Sequence, residues 1–146
     1  MRLNHLALHV DDLERAEAFY VATLGMEVVT RESLHVSGEW RQLPTDADWG
    51  AARAAGIELH MVGLRRDELV IALFEGEREP GMLYLVGVAA DEREVADVRE
   101  RLGDEVDLEV DTQRTLMFVD PFGVRWQLTA AGFRGAGEAR GAWIEL

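Results

Sequence analysis

The sequence contains an internal repeat, which constrains the fold more than any other of its features. Residues 5–25, HLALHVDDLERAEAFYVATLG, align without a gap with residues 83–103, LYLVGVAADEREVADVRERLG. Each copy has the alternating pattern of a strand, then the apolar spacing of an amphipathic helix, then a glycine that can end the helix. Such a repeat predicts two similar structural modules. Six aligned positions are identical: Val10/Val88, Glu14/Glu92, Arg15/Arg93, Ala18/Ala96, Leu24/Leu102 and Gly25/Gly103.

Three further strands are predicted after each copy of the repeat. The sequence therefore predicts an α+β fold of two tandem βαβββ modules, at residues 1–79 and 80–132, with Pro80-Gly81 at the boundary and a C-terminal tail at 133–146. The predicted strands are 26–30, 57–64 and 68–75 in the first module, with a polar turn at 65–67, and 106–110, 115–119 and 124–129 in the second.

A long excursion interrupts the first module between its second and third predicted strands. It covers residues 37–56 and contains Trp40, Pro44 and Trp49. Residues 47–55 have the composition of a short helix. Because the second module has no such segment, the excursion is a candidate lid over a binding site.

The charge balance excludes some classes of partner. Fifteen basic residues against 28 acidic ones give a net charge of -13, which repels a phosphate backbone, so no nucleic acid partner is expected. No apolar run approaches the roughly 20 residues that span a bilayer, so no membrane partner is expected either. The first residues lack the features of a signal peptide, which predicts a cytoplasmic location.

Missing residue types exclude whole reaction classes. The chain has no cysteine, and all of its 15 basic residues are arginines. Disulfides, thiolate metal sites, a Schiff-base lysine and a P-loop lysine are therefore impossible.

Four segments of the sequence carry a resemblance to a known superfamily: LNHLALHV, DDLERAEAFY, VATLGMEVV and FVDPFGVRWQL. Together they resemble the vicinal oxygen chelate superfamily, which includes glyoxalase I, fosfomycin-resistance proteins, bleomycin-resistance proteins and extradiol dioxygenases. The resemblance implies that the modules form a curled mixed sheet around a concave pocket, with the helices on the outside. It also implies a homodimer.

Metal enzymes of this superfamily have ligands at up to four equivalent positions, which the resemblance places on His5, Ala72, Leu83 and Gln127. Only His5 is a strong metal ligand, since a neutral glutamine amide is a poor replacement for a carboxylate. We therefore expect no cofactor and no bound metal. The alternative is a divalent ion held by His5 and a divergent set of ligands.

Strand alternation then predicts which side chains line the pocket, because alternate residues of a strand share a face. His5 and Arg125 are also the candidate catalytic residues, and Arg125 is expected to favour an anionic group on the ligand. The predicted ligand-binding residues are His5, Ala7, His9, Trp40, Trp49, Val70, Ala72, Phe74, Leu83, Leu85, Arg125 and Gln127.

Two functional classes remain open from the sequence. The first is a metal-free protein that binds a small organic molecule, as a binding or resistance protein or as an enzyme using His5 and Arg125. The second is a metal-dependent lyase, transferase or dioxygenase. Sequestration of a cationic drug is less favoured, because most acidic residues lie at predicted helix starts or on exposed helical faces.

Overall fold

The computed structural model describes residues 5–77, 83 and 85–130. The chain divides into two compact units, unit 1 at Met1–Met82 and unit 2 at Leu83–Leu146. The predicted boundary at Pro80-Gly81 and the predicted tail at residues 133–146 lie outside the described residues.

Unit 1 is built on a five-stranded sheet. Its elements are β1 (Leu6–Val10), α1 (Leu13–Leu24), β2 (Glu27–Leu34), β3 (Trp40–Gln42), α2 (Trp49–Ala54), β4 (Met61–Arg66) and β5 (Leu69–Glu75). The strands are ordered β1-β5-β4-β2-β3. The pair β1 and β5 is parallel, and the other neighbouring pairs are antiparallel.

Unit 2 is built on a four-stranded sheet with a similar arrangement of elements. Its elements are β6 (Val86–Ala89), α3 (Glu92–Arg101), β7 (Asp107–Thr112), β8 (Thr115–Val119) and β9 (Arg125–Thr129), and the strands are ordered β6-β9-β8-β7. The first and last strands are again parallel. Each unit is thus a βαβββ module, with β3 and α2 inserted into the first, and the predicted α+β fold is confirmed. No helix in the described part of the chain is long and apolar enough to cross a membrane.

One side of each sheet packs against a helix and forms the core. In unit 1, α1 contacts β2, β4 and β5, and the core includes Leu8, Leu64 and Leu73. In unit 2, α3 contacts β8 and β9, and both Phe118 and Trp126 are fully buried. The alternation of the strands therefore places the core on the side that the sequence predicts.

The two repeat helices begin alike but end differently. Asp12 caps α1, and Asp91 caps α3 in a capping box with Glu94. Gly25 ends α1 in the left-handed conformation with φ 63°, which glycine adopts without strain. Helix α3 ends at Leu102 in extended backbone, so the aligned glycine at 103 does not act as a left-handed cap.

The excursion at residues 37–56 is an integral part of unit 1. Strand β3 extends the sheet by pairing with β2. A small hydrophobic cluster then holds α2, with Leu43, Ala52 and Leu59 buried in it. Strand β3 was not predicted, because its three residues are all exposed and show no periodicity.

Several strand boundaries also differ from the prediction. Strand β2 runs on to Leu34 instead of ending at residue 30, and β4 begins at Met61 instead of residue 57. Strand β4 includes Arg65 and Arg66, so the turn is confined to residues 67 and 68, with Asp67 at a φ of 52°.

A buried polar network ties the inserted segment to α1. Glu17, only 8% exposed, accepts two hydrogen bonds from Arg31, from Nε at 2.8 Å and from Nη2 at 2.6 Å. Trp49 Nε1 donates to the same carboxylate at 3.0 Å, and Arg31 Nη1 donates to the Ala47 carbonyl at 3.1 Å. The hydrogen bond with Glu17 raises the pKa of Arg31, so this guanidinium stays charged.

The D-P-F-G segment, which carried part of the resemblance, is a structural turn between β8 and β9. Asp120 Oδ1 accepts from the backbone N–H groups of Phe122 and Val124, both at 2.9 Å. Asp120 Oδ2 accepts from Trp126 Nε1 at 2.9 Å. The buried carboxylate thus closes the turn and orients the largest core side chain of unit 2.

We expect the variant E17Q to lower the free energy of unfolding by about 2 kcal/mol, because Arg31 then stays buried beside a neutral amide. Urea denaturation followed by circular dichroism measures this loss. The matched control is E14Q on the same helix. Glu14 pairs with Arg53 at 2.6 Å, but both side chains are about half exposed or more. E14Q should therefore cost less than about 0.5 kcal/mol. Equal losses in the two variants would contradict the role assigned to the buried pair.

Candidate functional site

The side of the unit 1 sheet that faces away from α1 carries a continuous row of polar, aromatic and methionine side chains. The register aligns one residue from each strand. His9 lies beside Phe74, Phe74 beside Met61, Met61 beside Glu32, and Glu32 beside Gln42. None of the five is buried. We call this set the polar-aromatic row.

The next row along the strands consists of small residues. Ala7 pairs with Ala72, Ala72 with Gly63, and Gly63 with Thr30. A β-carbon on Gly63 would lie 2.8 Å from Thr30 Cγ2 and 3.2 Å from Val29 Cγ2, so these two side chains already fill the space above Gly63. The small row makes a shallow floor beside the polar-aromatic row.

Trp40 closes over this face from the inserted strand β3. Its ring lies edge-on to that of Phe74, with centroids 6.0 Å apart and planes at 78°. The strands that carry these two residues are separated by β4 and β2, and neighbouring strands are about 4.8 Å apart. The ring pair therefore bridges the open face above those two central strands. Trp40 remains 44% exposed, so the bridge is accessible.

His9 lies at the other end of the row, against backbone. A β-carbon on Gly76 would lie 3.3 to 3.6 Å from three atoms of the His9 ring. The Gly76 N–H donates to the Val10 carbonyl at 2.9 Å, which fixes the glycine beside β1. The imidazole thus rests on a flat backbone surface next to Phe74.

Glu32 is the acidic member of the row, and the sequence prediction missed it. Its Oε1 accepts from the Thr30 hydroxyl at 3.0 Å, and it takes part in no ion pair within the described part of the chain. It was missed because β2 was expected to end at residue 30. A regular alternation starting from Met26 also fails here, since the pairing of β2 with β4 shifts between Val28 and Thr30.

The open face of unit 2 is the side of its sheet that faces away from α3. Gln127 lies between Gly87 and Met117 in the register, and its Nε2 is 3.8 Å from Met117 Sδ. Leu85 extends over the same strand, with Cδ1 3.6 Å from the place of a Gly87 β-carbon. Leu83 is partly exposed. Gln127, Leu85 and Leu83, all predicted site residues, are thus at least partly accessible.

Arg125 lies on this face but is already paired. Its Nη2 and Nε both donate to Glu109 Oε1, at 2.7 and 3.1 Å. The prediction that Arg125 binds an anionic group was made without knowledge of Glu109 as its partner. Glu109 lies at a register shift between β7 and β8, where simple alternation does not say which way a side chain points. An anionic ligand would have to compete with the Glu109 carboxylate.

The strand pairing within each unit identifies equivalent positions in the two units. In each sheet the pairing shifts at one point, between Val28 and Thr30 in unit 1 and between Leu108 and Val110 in unit 2. Following the paired residues from strand to strand, starting next to each shift, leads to Ala72 in unit 1 and to Gln127 in unit 2. These two residues are therefore equivalent. By the same count Ala7 corresponds to Gly87, so that His5 corresponds to Leu85.

The gap-free repeat alignment pairs His5 with Leu83, two residues before the position that the strand register pairs with His5. The chemistry of the position is unchanged, because both candidates are leucines. The superfamily ligand positions therefore hold one imidazole, one amide and two apolar side chains. No group of three His, Cys, Asp or Glu side chains suited to a metal ion occurs among residues 5–77, 83 and 85–130. This donor set does not fit a divalent ion, which needs three or more oxygen or imidazole ligands.

Trp49 is the one predicted ligand-binding residue that unit 1 places elsewhere. Its indole donates to Glu17 of α1, so it lies on the helix side of the sheet. The other predicted residues of unit 1 share the open face: Ala7, His9, Trp40, Val70, Ala72 and Phe74, with His5 just before β1. The two tryptophans of the excursion thus have different roles.

Comparisons with known proteins agree with this architecture. A family model described as the glyoxalase/bleomycin resistance protein/dioxygenase superfamily matches residues 2–128. No curated protein matches the sequence. Several solved structures of low sequence identity share the fold.

Three of these structures are fosfomycin resistance proteins called FosX. The monoclinic form from Listeria monocytogenes at pH 5.75 has a TM-score of 0.64 and 18% identity, covering 91% of this chain and 93% of that one. The same protein complexed with Mn(II) and sulfate ion has a TM-score of 0.61 and 19% identity, covering 88% and 91%. FosX from Mesorhizobium loti has a TM-score of 0.61 and 17% identity, covering 88% and 90%.

We expect G63A to destabilise unit 1 by about 1 to 2 kcal/mol, because the new methyl group meets Thr30 Cγ2. The double variant G63A/T30S should recover part of this loss, since serine lacks that methyl but keeps the hydroxyl that binds Glu32. Urea denaturation of G63A, T30S and the double variant measures the coupling between the two sites. Simple additivity of the two single losses would contradict the tight packing over Gly63.

Proposed function

The chain belongs to the glyoxalase/bleomycin resistance protein/dioxygenase superfamily, and we propose that it binds a small organic molecule on its open sheet faces without a divalent ion. The single observation that carries the proposal is the donor set at the superfamily ligand positions. Of those positions only His5 offers a strong ligand, while Ala72 and Gln127 stand where carboxylates would be needed. The faces themselves remain accessible.

The open face of unit 1 has the composition of a small-molecule site. Apolar contact comes from Trp40, Phe74 and Met61, and each Å² of apolar surface removed from water contributes roughly 25 cal/mol. His9 and Gln42 supply polar groups at the two ends of the same row. Apolar walls with a few polar groups are typical of sites that bind a compact organic ligand.

His5 and Arg125 remain the candidates for catalysis within this proposal. The His5 imidazole is the group best suited to general acid-base work. Arg125 already shares Glu109, so its contribution would be to orient a ligand that displaces or bridges that pair. The enzyme activity in question would be of the glyoxalase-like lyase or the dioxygenase-like type.

The second candidate function is that of a metal-dependent lyase, transferase or dioxygenase. The observation in its favour is that one FosX structure of similar fold was determined with Mn(II). In that case His5 would hold the ion together with ligands outside the superfamily positions. Measurement of bound metal separates the two candidates.

We expect the purified protein to carry no stoichiometric zinc, nickel, iron or manganese after dialysis. Elemental analysis by mass spectrometry checks this. The control is the variant H5A, which should show the same absence of bound metal. Near-unit metal in the unmodified protein that disappears in H5A would favour the second candidate.

We also propose that the protein is a homodimer, since each sheet has open edge strands, β1 and β3 in unit 1 and β6 and β7 in unit 2. Light scattering at micromolar concentration should give twice the chain mass of 16.3 kDa. A mass equal to one chain over that range would remove partner residues from the binding site.

A further inference from the structure

The bridge formed by Trp40 and Phe74 crosses the strand that carries Glu32. Strand β2 lies between β3 and β4, and so between the two strands that hold the aromatic rings. Within the polar-aromatic row, Phe74 lies beside Met61, and Met61 lies beside Glu32. An apolar ligand seated on the first two side chains would therefore extend towards the carboxylate.

Among the described residues, no basic side chain on this face forms an ion pair with Glu32. The preceding residue, Arg31, points to the helix side and is bound to Glu17. Arg41 on β3 lies opposite Ser33, and strand alternation directs both away from the face that carries Glu32. The Glu32 carboxylate accepts a hydrogen bond from the neutral Thr30 hydroxyl. Within the described residues it is thus a carboxylate without a counter-ion beside an accessible aromatic pair.

Other charged groups of the open faces lie away from the aromatic pair. Arg125 of unit 2 is bound to Glu109. Glu27 lies beside Arg65 in the register of unit 1, outside the polar-aromatic row. The expectation of an anionic ligand rested on Arg125, and its pairing with Glu109 weakens that expectation.

We infer that Glu32 makes the unit 1 face selective for aromatic or apolar molecules that carry a protonated nitrogen. This inference rests on the proposed function and adds the ligand class to it. An ammonium group next to the carboxylate forms a charge-assisted hydrogen bond, and the neighbouring Trp40 ring adds a favourable cation–π contribution. Gln42, on the other side of Glu32, provides a neutral acceptor for a second N–H.

The test uses three probes of one shape that differ in charge: 2-naphthylmethylamine, 2-naphthalenemethanol and 2-naphthylacetate. Binding to the full chain is followed by calorimetry and by the indole N–H resonance of Trp40 in nuclear magnetic resonance spectra. We expect the amine to bind about ten-fold more tightly than the alcohol, and the carboxylate more weakly than both.

Three variants assign this preference to Glu32. E32Q should weaken amine binding by about ten-fold and change alcohol binding by less than about two-fold. E27Q is the matched control, because it makes the same change of net charge on the same strand, and it should leave all three affinities unchanged. Glu32→Arg should reverse the order and make the carboxylate the tightest of the three probes.

Three outcomes would overturn the inference, and they separate it from the proposed function. If the alcohol or the carboxylate binds at Trp40 as well as the amine does, the face binds ligands but Glu32 does not select them. If E27Q weakens amine binding as much as E32Q does, the preference comes from the overall charge of -13 rather than from Glu32. If none of the probes binds or shifts the Trp40 resonance, the proposed binding function and the inference both fail.

Discussion

The ion pair between Glu17 and Arg31 is the interaction on which the open face of unit 1 depends. It joins α1 to β2, and the same carboxylate holds Trp49 of the inserted segment. Because Arg31 is directed towards the helix, strand alternation directs Thr30 and Glu32 to the other side. One buried contact thus decides where the inserted segment lies and which side chains reach the open face.

The buried polar side chains that the structure describes are all paired. No buried side-chain nitrogen or oxygen in the described residues lacks a hydrogen bond. Glu17 and Asp120 each accept three hydrogen bonds, which offset the cost of removing a carboxylate from water. These two carboxylates stabilise the fold. Glu32, on the accessible side, accepts a hydrogen bond from a single hydroxyl and is the carboxylate to which we assign ligand selection.

The fold and the superfamily metal site depend on different faces of the same strands. On β9, Trp126 and Leu128 are buried in the core, while Gln127 between them faces the opposite way. Likewise Ile71 and Leu73 flank Ala72 on β5 and are fully buried. The fully buried neighbours on each strand therefore hold the sheet in place whichever side chain stands at residue 72 or 127.

The sequence by itself determined the features that depend on near neighbours. Strand and helix periodicity were enough to predict both βαβββ modules, the core side of β1, β5, β6 and β9, and the presence of His9 and Phe74 on the open face. Only the tertiary structure decided which distant residues meet. It turned Trp49 towards Glu17 and Trp40 towards Phe74, paired Arg125 with Glu109, and brought Glu32 into the polar-aromatic row. These outcomes depend on the inserted strand β3 and on one register shift in each sheet, and neither leaves a periodic signal in the sequence.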